Sequence, residues 1–220
     1  MGVTEQAGPS EWVGRNDPQV GVGPWQGPWP EGAHYDPELL ELGDRRNVAD
    51  AYRYWRRDAI VADVDTRRHP FHVAIENFQH DHNIGTVVRT ANAFAAAAVH
   101  IVGKRRWNRR GAMVTDRYQH LHHQPDGAAL AAYARHHDLA VVAVDNSPTA
   151  EPLETVTLPR DCMLVFGQEG PGVSQQARDN ATLAVSIAQF GTTRSINAGV
   201  AAGIVMHTWI QQHADLSTAW

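Results

Sequence analysis

The chain has one cysteine, Cys162, which excludes a disulfide framework and a cysteine-rich metal module. A reducing, cytoplasmic setting fits. No run approaches the ~20 apolar residues of a membrane span, and no basic-then-apolar leader opens the chain. Lysine is scarce, so nearly all the positive charge is arginine, which suits bidentate phosphate contacts and equally suits a GC-rich genome. Acidic residues outnumber basic ones by 24 to 19. The net charge of −5 argues against a surface that binds polyanions throughout, leaving only local basic clusters for such a partner. Neither HExxH nor a Cys/His zinc spacing occurs. The 13 histidines cluster at His120, His122 and His123 and at His136 and His137. Neighbouring histidines on a helix point in different directions, so no metal is expected. GxSxG is also missing, which removes the nucleophile elbow of a serine hydrolase.

What remains is 220 residues with 43% hydrophobic content, enough for one domain with an appendage. Residues 1–35 are rich in Gly, Pro and Trp and show neither helical nor strand period. They read as a flexible or extended arm whose Trp12, Trp25 and Trp29 dock on the domain or on a second subunit. Residues 36–68 read as a helical, arginine-rich appendage. Asp36 caps, Pro37 fits the first turn, and a helix is expected over 37–60 with a broken apolar stripe. Arg45, Arg46, Arg53, Arg56 and Arg57 interrupt that stripe. The segment is either a solvated amphipathic helix balanced by its acids or an RNA-contacting appendage.

Residues 69–220 form the main domain. Apolar runs predict strands over 71–76, 99–102, 139–145, 163–166 and 183–187. Helices are expected over 84–96 and from the Pro125-Asp126-Gly127 turn to about 137, with a long loop over 146–160. Strands alternating with helices predict an α/β domain on a parallel sheet.

Ligands of open parallel sheets bind at the carboxyl ends of strands. The run 163–166 ends in a loop with Gly167, Gly170 and Gly172. The run 183–187 leads through Gly191 to Ser195, Ile196 and Asn197. Glycine permits close backbone approach, yet no P-loop lysine or dinucleotide spacing follows. The loops suit backbone bonds to a heterocycle, or form tight strand–helix turns. Upstream, Asn83 is a good N-cap, and Gly85, Arg89 and Asn92 fall at i, i+4 and i+7 on one helix face. An arginine in early helical turns opposes the macrodipole, so either a bound phosphate or an acid such as Asp81 compensates. Lys104, Arg105, Arg106, Arg109 and Arg110 surround Trp107 and are expected to bind RNA phosphates, with Trp107 stacking on a base.

Together the segments NIGTVVRTA, LVFGQEGPGVS and SIAQFGTTRSINAGVAAGIVMH resemble the three motifs of the SpoU/TrmH ribose 2′-O-methyltransferases of the SPOUT superfamily. The resemblance covers about residues 70–213 in the right order. Gln168 stands where asparagine or proline is commoner, and Ala188 where many relatives have proline. The resemblance implies a parallel α/β sheet flanked by helices and closed by a C-terminal trefoil knot, an exception to the usual rule against knots. The last helix, 195–213, would be threaded on its small residues. It also implies a homodimer that uses S-adenosylmethionine to methylate a ribose 2′-hydroxyl of tRNA or rRNA, with tRNA favoured. Carried over, Val144, Gly167, Glu169, Gly172, Ile187, Ser195, Ile196 and Asn197 hold the cofactor. Arg89, Asn83, Ser195 and Asn197 serve catalysis. A noncatalytic knotted RNA-binding protein that keeps the cofactor pocket and a nucleobase methyltransferase are the alternatives.

Overall fold

The computed structural model describes residues 21–77, 81, 83–168 and 170–219. Trp12 and the rest of 1–20, residues 78–80 and 82, and the expected cofactor contact Glu169 lie outside the described residues. The chain divides into two compact units, Met1–Asp63 and Val64–Trp220.

In the first unit the expected helix over 37–60 is broken. α1 (Pro37–Leu42) begins as anticipated, with the Asp36 carboxylate accepting from Glu38 N–H, and ends at Gly43, whose φ is 92°. A 3-10 turn at Asp50–Tyr52 follows, then α2 (Arg57–Asp65). The break has a polar cause. Asp44 is fully buried and accepts from Arg46 N–H, Arg46 Nε and Nη2, and Tyr54 N–H. Burial pushes the Asp44 carboxyl up, but these bonds outweigh it and hold the group below its usual range. Backbone donors committed to a carboxylate cannot continue a helical ladder. Trp25 meets Tyr54 edge-on at 5.4 Å.

The second unit carries the sheet. Its elements are β1 (His69–Asn77), α3 (Ile84–Ala93), β2 (Ala96–Gly103), β3 (Leu121–Gln124), α4 (Gly127–His136), β4 (Ala140–Val144), β5 (Glu151–Pro152), β6 (Cys162–Phe166), α5 (Gln175–Asp179), β7 (Leu183–Ser186) and α6 (Ala198–His213). All pairings are parallel, in the order β3-β2-β1-β6-β4-β7-β5. Residues of each strand alternate between two cores. Phe71, Val73 and Ile75 of β1 and Leu164 and Phe166 of β6 pack with α3 and α6. Ala74, Met163 and Val165 pack with α4 and α5. Burial on both faces explains the continuous apolar runs. α6 is seated by Trp209, whose ring lies 4.5 Å from that of Phe71 and whose Nε1 donates to the carbonyls of Pro159 and Arg160.

Three elements escape the sequence pattern. β3 reads LHHQ and is a polar edge strand, β5 has two residues, and α5 has five. α3 also ends earlier than expected. Ala95 takes a φ of 46°, and β2 starts at the next residue. Among the described residues no helix is long and apolar enough to cross a membrane.

Candidate functional site

Three strand ends make the site's floor. Val144 pairs with Phe166 on one side and with Val185 on the other, so the loops after β4, β6 and β7 leave the sheet side by side. Val144, Ile187 and Ile196 are half-buried there, while Ser195 and Asn197 are exposed. The loop after β7 is tied at both ends. Ala188 N–H donates to Glu154 Oε1 at 3.1 Å, and Asn146 Nδ2 donates to the Arg194 carbonyl at 2.8 Å. Phe190, between these ties, is 98% exposed.

The glycines of the first loop answer to the chain itself. A side chain at Gly167 would collide with the backbone of Gly172 and Val173. Gln168 and Gly172 exchange two backbone bonds of 3.1 Å, and Gly172 takes a φ of 71° beneath Asp145. Close packing within the loop therefore accounts for a glycine at position 167. Gly191 differs. It has no positive φ, and a Cβ there would meet nothing within 4 Å.

The motif on α3 meets the motif before α6 through two asparagines. Asn197 caps α6, its Oδ1 accepting from Gly199 N–H at 2.9 Å and Val200 N–H at 3.2 Å. Its Nδ2 donates to Asn83 Oδ1 at 2.8 Å. Asn83 does not cap α3 with its side chain, contrary to expectation, because that oxygen is turned toward Asn197. The helices then run together closely: a Cβ on Gly199 would sit 3.1 Å from Thr86 Cγ2.

Gly85 does not share an exposed face with Arg89. It is buried, and a Cβ there would lie 2.6 Å from the backbone of Gly111 and Ala112. Gly85 is thus the seat of the 3-10 turn Arg109–Ala112. Asp81 is not the partner of Arg89 either, since its carboxylate accepts from Asn108 N–H at 2.7 Å. Arg89 is exposed and has no ion pair among the described residues.

Lys104, Arg105, Arg106, Arg109 and Arg110 are all exposed at the carboxyl end of β2. Asn77 holds this loop, accepting from Lys104 N–H at 2.9 Å and donating to the carbonyls of Lys104 and Arg106. Trp107 is half-buried against the core with Arg109 over its ring at 5.6 Å. Arg109 also pairs with Asp116 at 3.1 Å.

Two polar groups passed unnoticed in the sequence. Glu76, at the end of β1, is 1% exposed and accepts from Ser174 N–H at 2.8 Å. Burial pushes its carboxyl up. The available signal was a carboxylate closing the apolar run VAIE. The second is a histidine ladder on β1, β2 and β3. His72 Nδ1 lies 3.1 Å from His100 Nε2, and His100 stacks on His122. Burial pushes His72 down to about 4 and His100 down to about 3. The other clustered histidines separate, His120 bonding Asp65 and His123 the Gly103 carbonyl.

An all-parallel sheet with β6 between β1 and β4, two adjoining loops at its carboxyl edge and a final helix capped beside them is an α/β architecture shared with solved TrmH/SpoU proteins. The chain belongs to the SpoU rRNA Methylase family, whose model matches residues 70–207. It is 30% identical over 165 residues to an uncharacterized tRNA/rRNA methyltransferase of Mycolicibacterium gilvum, covering 70% of this chain and 51% of that protein. The chain therefore spans about half the length of that relative. It is 26% identical over 156 residues to the tRNA (guanosine(18)-2′-O)-methyltransferase of Escherichia coli, covering 69% of this chain and 68% of that one. Among solved structures, the A. aeolicus TrmH/SpoU tRNA modifying enzyme superposes with a TM-score of 0.64 at 21% identity, over 71% of this chain and 82% of that one. The SpoU methyltransferase AviRb of Streptomyces viridochromogenes, solved with AdoMet, superposes with a TM-score of 0.60 at 20% identity, over 68% and 60%.

Proposed function

We propose that this chain transfers a methyl group from S-adenosylmethionine to a ribose 2′-hydroxyl of tRNA or rRNA, working as a cytoplasmic homodimer. The observation that carries the reading is the Asn83–Asn197 bond, which joins the two motifs expected at the ribose and at the cofactor. The protein's fit to the cofactor rests on Gly191, a glycine with no internal reason to be one, beside the adjoining ends of β4, β6 and β7. Val144, Gly167, Glu169, Gly172, Ile187, Ser195, Ile196 and Asn197 are the residues proposed to hold it. Bound S-adenosylmethionine would supply an electrophilic methyl on a sulfonium.

The chain's own contribution is alignment and charge. Arg89 is proposed to stabilise negative charge developing on the ribose oxygen and to position the neighbouring phosphate. An arginine guanidinium is a poor proton acceptor and so a poor base. Asn83, fixed by Asn197, and Ser195 are proposed to orient the hydroxyl, since reaction needs oxygen, methyl and sulfur in line. Lys104, Arg105, Arg106, Arg109 and Arg110 are proposed to hold RNA phosphates. The homodimer is supported by Val200 and Ile204, exposed apolar residues one turn apart on α6. Light scattering at twice the chain mass checks it, and a monomer active on RNA refutes it.

The test of function is transfer of labelled methyl from S-adenosylmethionine to total tRNA and to rRNA, with nucleosides resolved by mass spectrometry. A 2′-O-methylnucleoside is expected. Label on a base supports the nucleobase reading, and RNA binding with no transfer supports the noncatalytic one.

A further inference from the structure

We propose that Glu76 is a positioning residue for the loop after β6: from the end of β1 it fixes Ser174 and thereby sets the backbone that residues 167, 168 and 170–173 present at the sheet edge. The position is one where the strand's alternation calls for an apolar side chain. Ala74, two residues earlier on the same face, lies in the core beneath α4 and α5. Glu76 is nevertheless a carboxylate, 1% exposed.

Its two oxygens have different fates. Oε2 accepts from Ser174 N–H at 2.8 Å, across 98 residues of sequence. Oε1 is buried and has no hydrogen-bond partner among the described residues. A buried acceptor without a partner is costly, so general stability does not explain why the residue is there. A leucine would fill the space at lower cost.

The contacts continue from Ser174 into the loop. The Val173 carbonyl accepts from Arg178 Nη1, and that guanidinium is held by Asp145 at 3.0 Å. Gly172 exchanges two backbone bonds with Gln168, and Gly167 lies against Gly172 and Val173. The underside of the loop is thus fixed by one acid from the end of β1 and another following β4, with an arginine between. Desolvation pushes the Glu76 carboxyl up and Asp145 adds to this, while Ser174 and Arg178 oppose it. The role extends to cofactor affinity only if the functional reading above is right.

The experiment compares wild type, Glu76→Leu and Glu76→Gln by amide hydrogen exchange with mass spectrometry, alongside calorimetric binding of S-adenosylmethionine. Glu76→Leu removes the acceptor but keeps an apolar filling, so the fold should survive. Exchange over 167–174 is expected to rise on the order of tenfold or more, with β1 and β2 still protected. Glu76→Gln keeps an acceptor for Ser174 and is expected to exchange like wild type. Cofactor affinity should weaken on the order of tenfold in Glu76→Leu and recover in Glu76→Gln, as for a loss of preorganisation. Unchanged exchange over 167–174 in Glu76→Leu overturns the proposal, as does equal loosening in Glu76→Gln. Should Glu76→Leu not fold, the glutamine variant still decides by the same criterion. Wild type that binds no S-adenosylmethionine refutes the functional reading, while exchange continues to test Glu76.

Discussion

Asn197 donates to Asn83 across 114 residues while its own carbonyl oxygen caps α6. One side chain therefore starts the last helix and holds the residue that precedes α3. The two roles are separable. Asn197→Asp keeps the cap, which the helix macrodipole favours, but removes the donor to Asn83. Its stability should stay within about 1 kcal/mol of wild type, while single-turnover methyl transfer falls. Asn197→Ala should lose both. Full activity in Asn197→Asp would show that the bridge is dispensable.

Gly167 and Gly191 should respond differently to a side chain. Gly167→Val forces a collision with Gly172 and Val173 and should cost more than about 3 kcal/mol. Gly191→Val meets nothing internal and should leave the melting temperature unchanged, yet weaken S-adenosylmethionine binding in calorimetry. Undiminished binding by Gly191→Val would remove that glycine from the site.

Arg89 is exposed, so its replacement should not disturb folding. Arg89→Ala should leave cofactor affinity within a few-fold and cut methyl transfer by roughly a hundredfold or more. Arg89→Lys keeps the charge without the planar fork and should recover part of the rate. Normal single-turnover transfer by Arg89→Ala on the true RNA would end its catalytic assignment.

The basic loop should separate into binding and packing residues. Neutralising Arg105 and Arg106 should weaken RNA binding and lower the slope of log affinity against log salt by roughly 1.5. Trp107→Ala should instead cost about 2 kcal/mol of stability through lost packing. A selective loss of RNA affinity in stable Trp107→Ala would restore the stacking role.

The histidine ladder should make the fold acid-sensitive. His100 is buried and His72 half-buried, and desolvation lowers their pKa values from 6.5 to about 3 and about 4. A depressed histidine stabilises the fold fully above 6.5 and loses that contribution as pH falls toward the folded value. Each pH unit in that window should cost about 1.4 kcal/mol per excluded proton. The two rings touch, so they titrate as a pair. Glu76 acts in the opposite sense. Its raised pKa favours the fold below 4.5, and the advantage fades as pH rises through the folded value. Urea unfolding between pH 7 and 5 checks the histidines: His100→Gln should flatten the slope, and an unchanged slope would exclude the ladder as its source.

The sequence by itself determined the parallel α/β class, the loops at the strand ends and the family. Each is written in local signals: apolar runs of strand length, glycines after them, and three motifs in order. It also placed the starts of α1 and α4, where Asp36 and Asp126 accept backbone N–H bonds as caps. What it could not supply were partners chosen by topology. Asn83 reads locally as a cap, and only the seating of α6 beside α3 turns its oxygen to Asn197. Gly85 reads as a member of the Arg89 helix face and Gly167 as a point of close backbone approach to a ligand or a tight turn, yet each has another stretch of the chain's own backbone lying against it. Glu76 carries no motif, and its role exists because β6 lies beside β1 and leads the chain over it to Ser174. Periodicity and propensity are properties of a few neighbouring residues. Contacts across 98 or 114 positions depend on the order of strands in the sheet, which no local pattern specifies.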